Sequence, residues 1–126
     1  MPALILDAGA LIAADRGDRE LIARLRVAEQ RGVQLRSTGV VIAETWRDGS
    51  RQAQLARLLK AVDVVAVDEA LGREAGQLLG RSKTNDPADA TVVAIATIGD
   101  RILTSDAGDI KRLVRASRRG IHVVSC

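Results

Sequence analysis

Short aliphatic runs alternate along the entire chain with longer stretches whose apolar residues recur at helical spacing. Few folds accommodate that alternation, because each short run must bury itself as a strand and each long one must cover it. An α/β domain with a mostly parallel sheet is the expected solution. The strand candidates are "ALIL" (3–6), "VQLR" (33–36), "VDVVAV" (62–67), "RILT" (101–104) and "IHVVS" (121–125). Helical spacing falls between them, over 9–14, 19–31, 39–46, 51–60, 69–81, 87–98 and 110–116. Gly32, Gly99 and Gly120 each follow a helical stretch and precede a strand, where a left-handed helix C-cap is expected.

The 126 residues suit a single domain, and no composition shift or breaker-rich stretch is long enough to be a linker. With 47% hydrophobic and 28% charged residues the composition is that of a soluble globular protein. No apolar stretch approaches the roughly 20 residues that cross a bilayer, so no membrane role is expected. The opening "MPALILDAGALIAAD" lacks a basic n-region and reads as part of the fold, not as a signal peptide. One cysteine, Cys126, permits no internal disulfide and points to a reducing, cytoplasmic setting. Trp46 is the single aromatic residue. That argues against modules that hold single strands by stacking bases on aromatic rings. A net charge of +3 remains compatible with a polyanionic partner.

Carboxylates punctuate this pattern at telling places. Asp7 directly follows the first strand candidate, and Asp106 follows the fourth through Ser105. In an open α/β sheet the carboxyl edge is where ligands bind, at the point where neighbouring connections go to opposite faces. Glu44 interrupts the otherwise apolar "GVVIAET". In "NDPADATVVAIA", Asp86 suits an N-cap, Pro87 the first helical position, and Asp89 the third. Capping explains that pair. The same spacing also presents both carboxylates from one helix end, so a role in the crevice stays open. Two carboxylates about 5 Å apart at an effective dielectric of ~20 repel by roughly 3 kcal/mol, so several together need protons or a cation. An all-oxygen donor set without Cys or His suits Mg²⁺ or Mn²⁺ and disfavours Zn²⁺. Water activated by such an ion is a nucleophile for attack on a phosphodiester.

Four segments, "LILDAGALIA", "VIAETW", "NDPADATVVAIA" and "ILTSDAGDI", together resemble the PIN domain, and within it the VapC-like toxin ribonucleases of bacterial toxin–antitoxin pairs. The resemblance implies a parallel five-stranded sheet of order 3-2-1-4-5 and Mg²⁺- or Mn²⁺-dependent cleavage of RNA. It also implies a VapB-like antitoxin as partner and a homodimer. Asp7, Glu44, Asp89 and Asp106 match the family's acidic quartet, Asp86 and Asp109 its accessory acids, and Thr104 and Ser105 its "TSD" element. One departure is clear: Gly9 stands where many members carry Ser or Thr, so a hydroxyl beside the first Asp is missing.

Other readings compete. A catalytically inactive PIN-like module would hold RNA or protein on its basic surface. A phosphotransfer domain would use Asp7 as nucleophile, but the second Asp typical of dehalogenase-like phosphatases is replaced by Gly9. His122, the single histidine, lies in the last strand candidate and leaves no imidazole base for a Ser-His-Asp arrangement. The run "KRLVRASRRG" gathers Lys111, Arg112, Arg115, Arg118 and Arg119, as a solvated face or as phosphate contacts. Arg16, Arg81 and Lys83 are further RNA-binding candidates at the crevice mouth.

Overall fold

The computed structural model describes residues 2–126. Its five strands are β1 (Leu4–Leu6), β2 (Leu35–Thr38), β3 (Val62–Val65), β4 (Arg101–Thr104) and β5 (His122–Ser125). All pairings are parallel, in the order β3-β2-β1-β4-β5. The helices are α1 (Ala8–Asp15), α2 (Arg19–Gln30), α3 (Gly39–Thr45), α4 (Ala53–Leu59), α5 (Glu69–Ser82), α6 (Pro87–Ile95) and α7 (Ala107–Ser117). This is the order that the resemblance implies. The order reverses at β1, so β1 and β4 lie side by side and their carboxyl ends flank the switch point.

Aliphatic side chains build the core. Ile5, Leu6, Leu35, Ile102 and Leu103 are fully buried in the sheet. α1 packs with α2, α3 and α4, while α5, α6 and α7 pack on one another. α6 is buried from Ala90 to Ile95, which explains why its apolar run shows no polar face. Trp46 remains partly exposed, with its ring over Gly49.

Local chemistry moves several boundaries. β2 begins two residues later than expected, because Gly32 takes a left-handed conformation and Val33 N–H closes back on Ala28 O at 2.9 Å. The strand instead runs through Ser37 and Thr38, whose hydroxyls are satisfied inside the protein. The expected 51–60 helix is broken by Gln52, after a 3₁₀ turn at Gly49–Arg51. α6 stops at Ile95, so Gly99 shapes a turn and does not cap a helix. Nor is Gly120 a left-handed cap: Arg118 takes that conformation, ending α7. α7 starts at Ala107, three residues before the expected 110, because Asp106 caps it directly.

Asp100, which stands in no motif, ties this frame together. It is buried and accepts from Ala3 N–H at 2.8 Å, Thr97 N–H at 2.9 Å and the Thr97 hydroxyl at 3.2 Å. One carboxylate thereby fixes the entry to β1 against the turn that feeds β4. Asp100→Ala leaves the Ala3 N–H unpaired in the interior, an expected loss of about 1–3 kcal/mol. It should appear as a lower urea midpoint at unchanged slope, with a smaller loss for Asp100→Asn.

Candidate metal centre

β1 and β4 are in register at Leu6 and Leu103, and Asp7 N–H donates to Leu103 O at 3.3 Å. The two strand ends therefore present Asp7 and the Thr104–Asp106 segment next to each other. Asp7 caps α1, accepting from Ala10 N–H at 2.8 Å. Asp106 caps α7, accepting from Gly108 N–H at 3.3 Å. Asp86 caps α6, accepting from Ala88 and Asp89 N–H at 3.0 and 3.2 Å. The expected capping by Asp86 is thus present. Asp89 sits in the first turn of α6, half-buried, and Asp109 in the first turn of α7.

Hydroxyls that form no part of the acidic pattern, together with Thr104, brace the floor beneath these acids. Ser37 donates to Leu6 O at 2.8 Å, at the end of β1. Thr38 and Thr91 share a bond of 2.8 Å that ties the start of α3 to α6, and Thr91 also donates to Ala88 O. Thr104 Oγ1 bonds the backbone of Asp106 in both directions at 3.0 Å. All four residues are buried. In sequence, neither the Ser37–Thr38 pair at the end of a strand nor Thr91 within an apolar helix stands in a pattern that singles it out.

The electrostatics show which acids share one space. Burial, then the charges of Asp86, Asp7, Glu44 and Asp109, push the Asp89 carboxyl up to about 7. Burial is also the largest cause raising Asp7; the Thr104 hydroxyl and Ala10 N–H pull the other way, while Asp106 and Asp86 raise it further. Glu44, exposed on α3, is raised by desolvation and then by Asp86, with Arg47 opposing and Asp7 adding. Asp89 thus feels the charges of Asp86, Asp7, Glu44 and Asp109, Asp7 those of Asp106 and Asp86, and Glu44 those of Asp86 and Asp7. Among the described residues, none of these acids joins a salt bridge. Nor do three or more of them, among the described residues, form a ready-made cage for a metal ion. Mg²⁺ is usually held by one or two carboxylates with water and substrate oxygens completing the shell, so carboxylates set along the sheet edge suit it without a closed cage.

Ser105 resolves the departure at position 9. A Cβ built on Gly9 would collide with the Ser105 side chain and lie 3.5 Å from an Asp7 carboxylate oxygen. The hydroxyl missing from α1 is replaced in space by one from the end of β4. Arg16 is the C-cap of α1, at the opposite end of that helix from Asp7. Arg81 and Lys83 lie at the end of α5, close in sequence to Asp86.

Asp89 carries a pH signature. With its folded-state carboxyl at about 7, against an ordinary value of 3.8, the folded protein keeps a proton that the unfolded chain has already lost. Stability therefore falls as pH rises from roughly 4 to 7 and levels off above that window. Asp89→Asn should remove most of this slope, melting higher than the parent at pH 8 and nearly alike at pH 4 or below. The expected gain at pH 8 is roughly 3–5 °C, the effect of about 1 kcal/mol in a domain of this size. Parallel pH-dependent melts of the two proteins check it.

No protein-family model matches the sequence, and no curated protein matches it either. Solved structures do. One is a chain of VapBC from Salmonella typhimurium in its DNA-bound crystal structure, superposing with a TM-score of 0.71 at 15% identity over 99% of this chain and 98% of that one. Another is a chain of VapBC2 from Rickettsia felis bound to a DNA fragment from their promoter, with a TM-score of 0.70 at 11% identity over 98% of both chains. At these identities the likeness carries architecture and nothing more. Over nearly its whole length the chain shares the fold of one chain in each of these two VapBC complexes.

Proposed function

We propose that the protein is a metal-dependent ribonuclease, the VapC-like toxin of a toxin–antitoxin pair, hydrolysing RNA phosphodiesters. The observation that carries this reading is the Asp89 carboxyl, raised to about 7 by burial and by acids from three other segments of the chain as well as its own. Crowding of this kind is costly for an apo protein and favourable once a cation neutralises it. The donors are all oxygen, which fits Mg²⁺ or Mn²⁺, with Asp7, Asp89, Asp106 and Glu44 as ligands and Asp86 at the margin. Such an ion, when bound, supplies charge neutralisation at the phosphate and a water of lowered pKa.

The chain's own residues do the positioning. Asp7 is held by Ala10 N–H, so a carboxylate oxygen has a fixed direction. Thr104 locks the backbone at Asp106, and Ser105 fills the notch over Gly9 beside Asp7. Asp109 adds negative charge one turn into α7. Because the matched structures are VapBC assemblies, a VapB-like antitoxin is the proposed partner. We further propose a homodimer acting in the cytoplasm; among the described residues, no helix is long and apolar enough to cross a membrane.

Cleavage of a mixed RNA pool tests the proposal. Cutting should require Mg²⁺ or Mn²⁺, stop on addition of EDTA and resume when the ion is restored. Asp7→Asn and Asp106→Asn keep an N-cap acceptor and should stay folded. Each should lose at least ~100-fold in rate, since even outer-shell partners of a metal are worth 10–100-fold. Equal cleavage by the parent and these folded variants would reject catalysis and leave a binding module.

A further inference from the structure

Between the end of α5 and the later turns of α7 lies an open groove of about 790 Å³, lined by Arg81, Ser82, Arg112, Arg115, Ala116 and Arg118. No carboxylate lines it. Its four arginines are exposed, and among the described residues none of them forms a salt bridge. Arg119, the next residue along, behaves differently: it pairs with Glu74 and donates to Val93, Ala94 and Ala96 carbonyls at the end of α6. The chain therefore separates a structural arginine from a free set.

Helix ends alone do not account for that set. A cation in the last turn complements a helix dipole, which explains Arg81 on α5 and Arg115 on α7. Arg118, the C-cap of α7, shares in this effect, whereas Arg112, in the middle of α7, gains little from it. Backbone conformation adds an independent sign. Lys83 and Arg118 adopt left-handed conformations at φ 57° and 56°, as the C-caps of the two helices that form the groove. The other positive-φ positions, at Gly17, Gly32 and Gly99, carry the residue that takes this conformation with least strain. At the groove, cations stand where glycine would be easier.

The groove also leads towards the acids. Asp109, Arg112, Arg115 and Ala116 follow one another at helical spacing along α7, with Asp109 at the acidic end. On the opposite wall, α5 is joined to the Asp86 cap of α6 by residues 83–85 alone. We infer that this groove binds the phosphodiester backbone of a single-stranded RNA whose scissile bond lies among the acids. The inference rests on the ribonuclease reading and extends it to a substrate-binding surface. Guanidinium forks match phosphate oxygens in pairs. The lining has no aromatic ring on which a base would stack and no large apolar anchor for a protein partner. Recognition here is of backbone charge, not base identity.

Binding of a fluorescein-labelled oligouridylate of about 12 nucleotides, followed by anisotropy in EDTA to prevent cleavage, tests the inference. Arg112→Gln/Arg115→Gln is the groove variant, and Arg19→Gln/Lys60→Gln removes the same charge elsewhere on the surface. At moderate salt the groove variant should bind at least ~10-fold more weakly, while the control stays within about 2-fold. Its plot of log K against log salt should be shallower by roughly 1.4, since each single-strand phosphate deprived of its cation lowers the slope by about 0.7. Parent-like affinity and slope in the groove variant would overturn the inference. So would weakened binding of a labelled polyglutamate peptide with RNA binding unchanged, which would make the groove a site for an acidic protein. Groove-dependent RNA binding without any Mg²⁺-dependent cleavage by the parent would support the groove and reject the ribonuclease reading instead. Cleavage by the parent with groove-independent binding would do the reverse.

Discussion

Negative charge gathered where three helices begin is the constraint around which the carboxyl edge of this sheet is organised. Asp7, Asp86 and Asp106 each satisfy backbone N–H groups at a helix start, which fixes α1, α6 and α7 on the edge. The same side chains raise the proton affinity of their neighbours, Asp89 and Glu44 among them. The caps hold together what the charges push apart. The aliphatic sheet core and the hydroxyl bonds of Ser37, Thr38, Thr91 and Thr104 lie directly beneath this charged edge and hold it against the repulsion. Capping a helix does not remove a carboxylate from the crevice, so the two roles open to "NDPADA" are compatible.

Much of this arrangement is legible in one dimension. Strand ends followed at once by Asp7 and Asp106 mark the switch point, because parallel strands in an α/β sheet deliver their next residues to one edge. The Asp86, Pro87 and Asp89 pattern marks a helix start with equal directness. Elements set by backbone closure or by distant partners are not legible. β2 starts late because Gly32 and Val33 fold back on Ala28, and α7 ends at Arg118 instead of reaching Gly120. Asp100 illustrates the same limit: its main partner, Ala3 N–H, is 97 residues away, and no local pattern announces the bond.

The basic run near the C-terminus shows how adjacent residues of one type divide into roles that composition cannot separate. Arg119 turns inward and satisfies carbonyls that the early end of α6 leaves open. Its pairing with Glu74 fastens α5 to the same point. Arg118 takes the left-handed turn that makes this possible and lines the groove. One residue terminates the packing of three helices; the other extends a charged surface.

Gly9 and Ser105 are bound by a different kind of dependence. The serine hydroxyl occupies the volume that a side chain on the glycine would need, so a larger residue at 9 obliges Ser105 to turn or shift. Whatever stands at either position therefore sets the rotamer of the other, and the exposed loop after β4 is the part that yields.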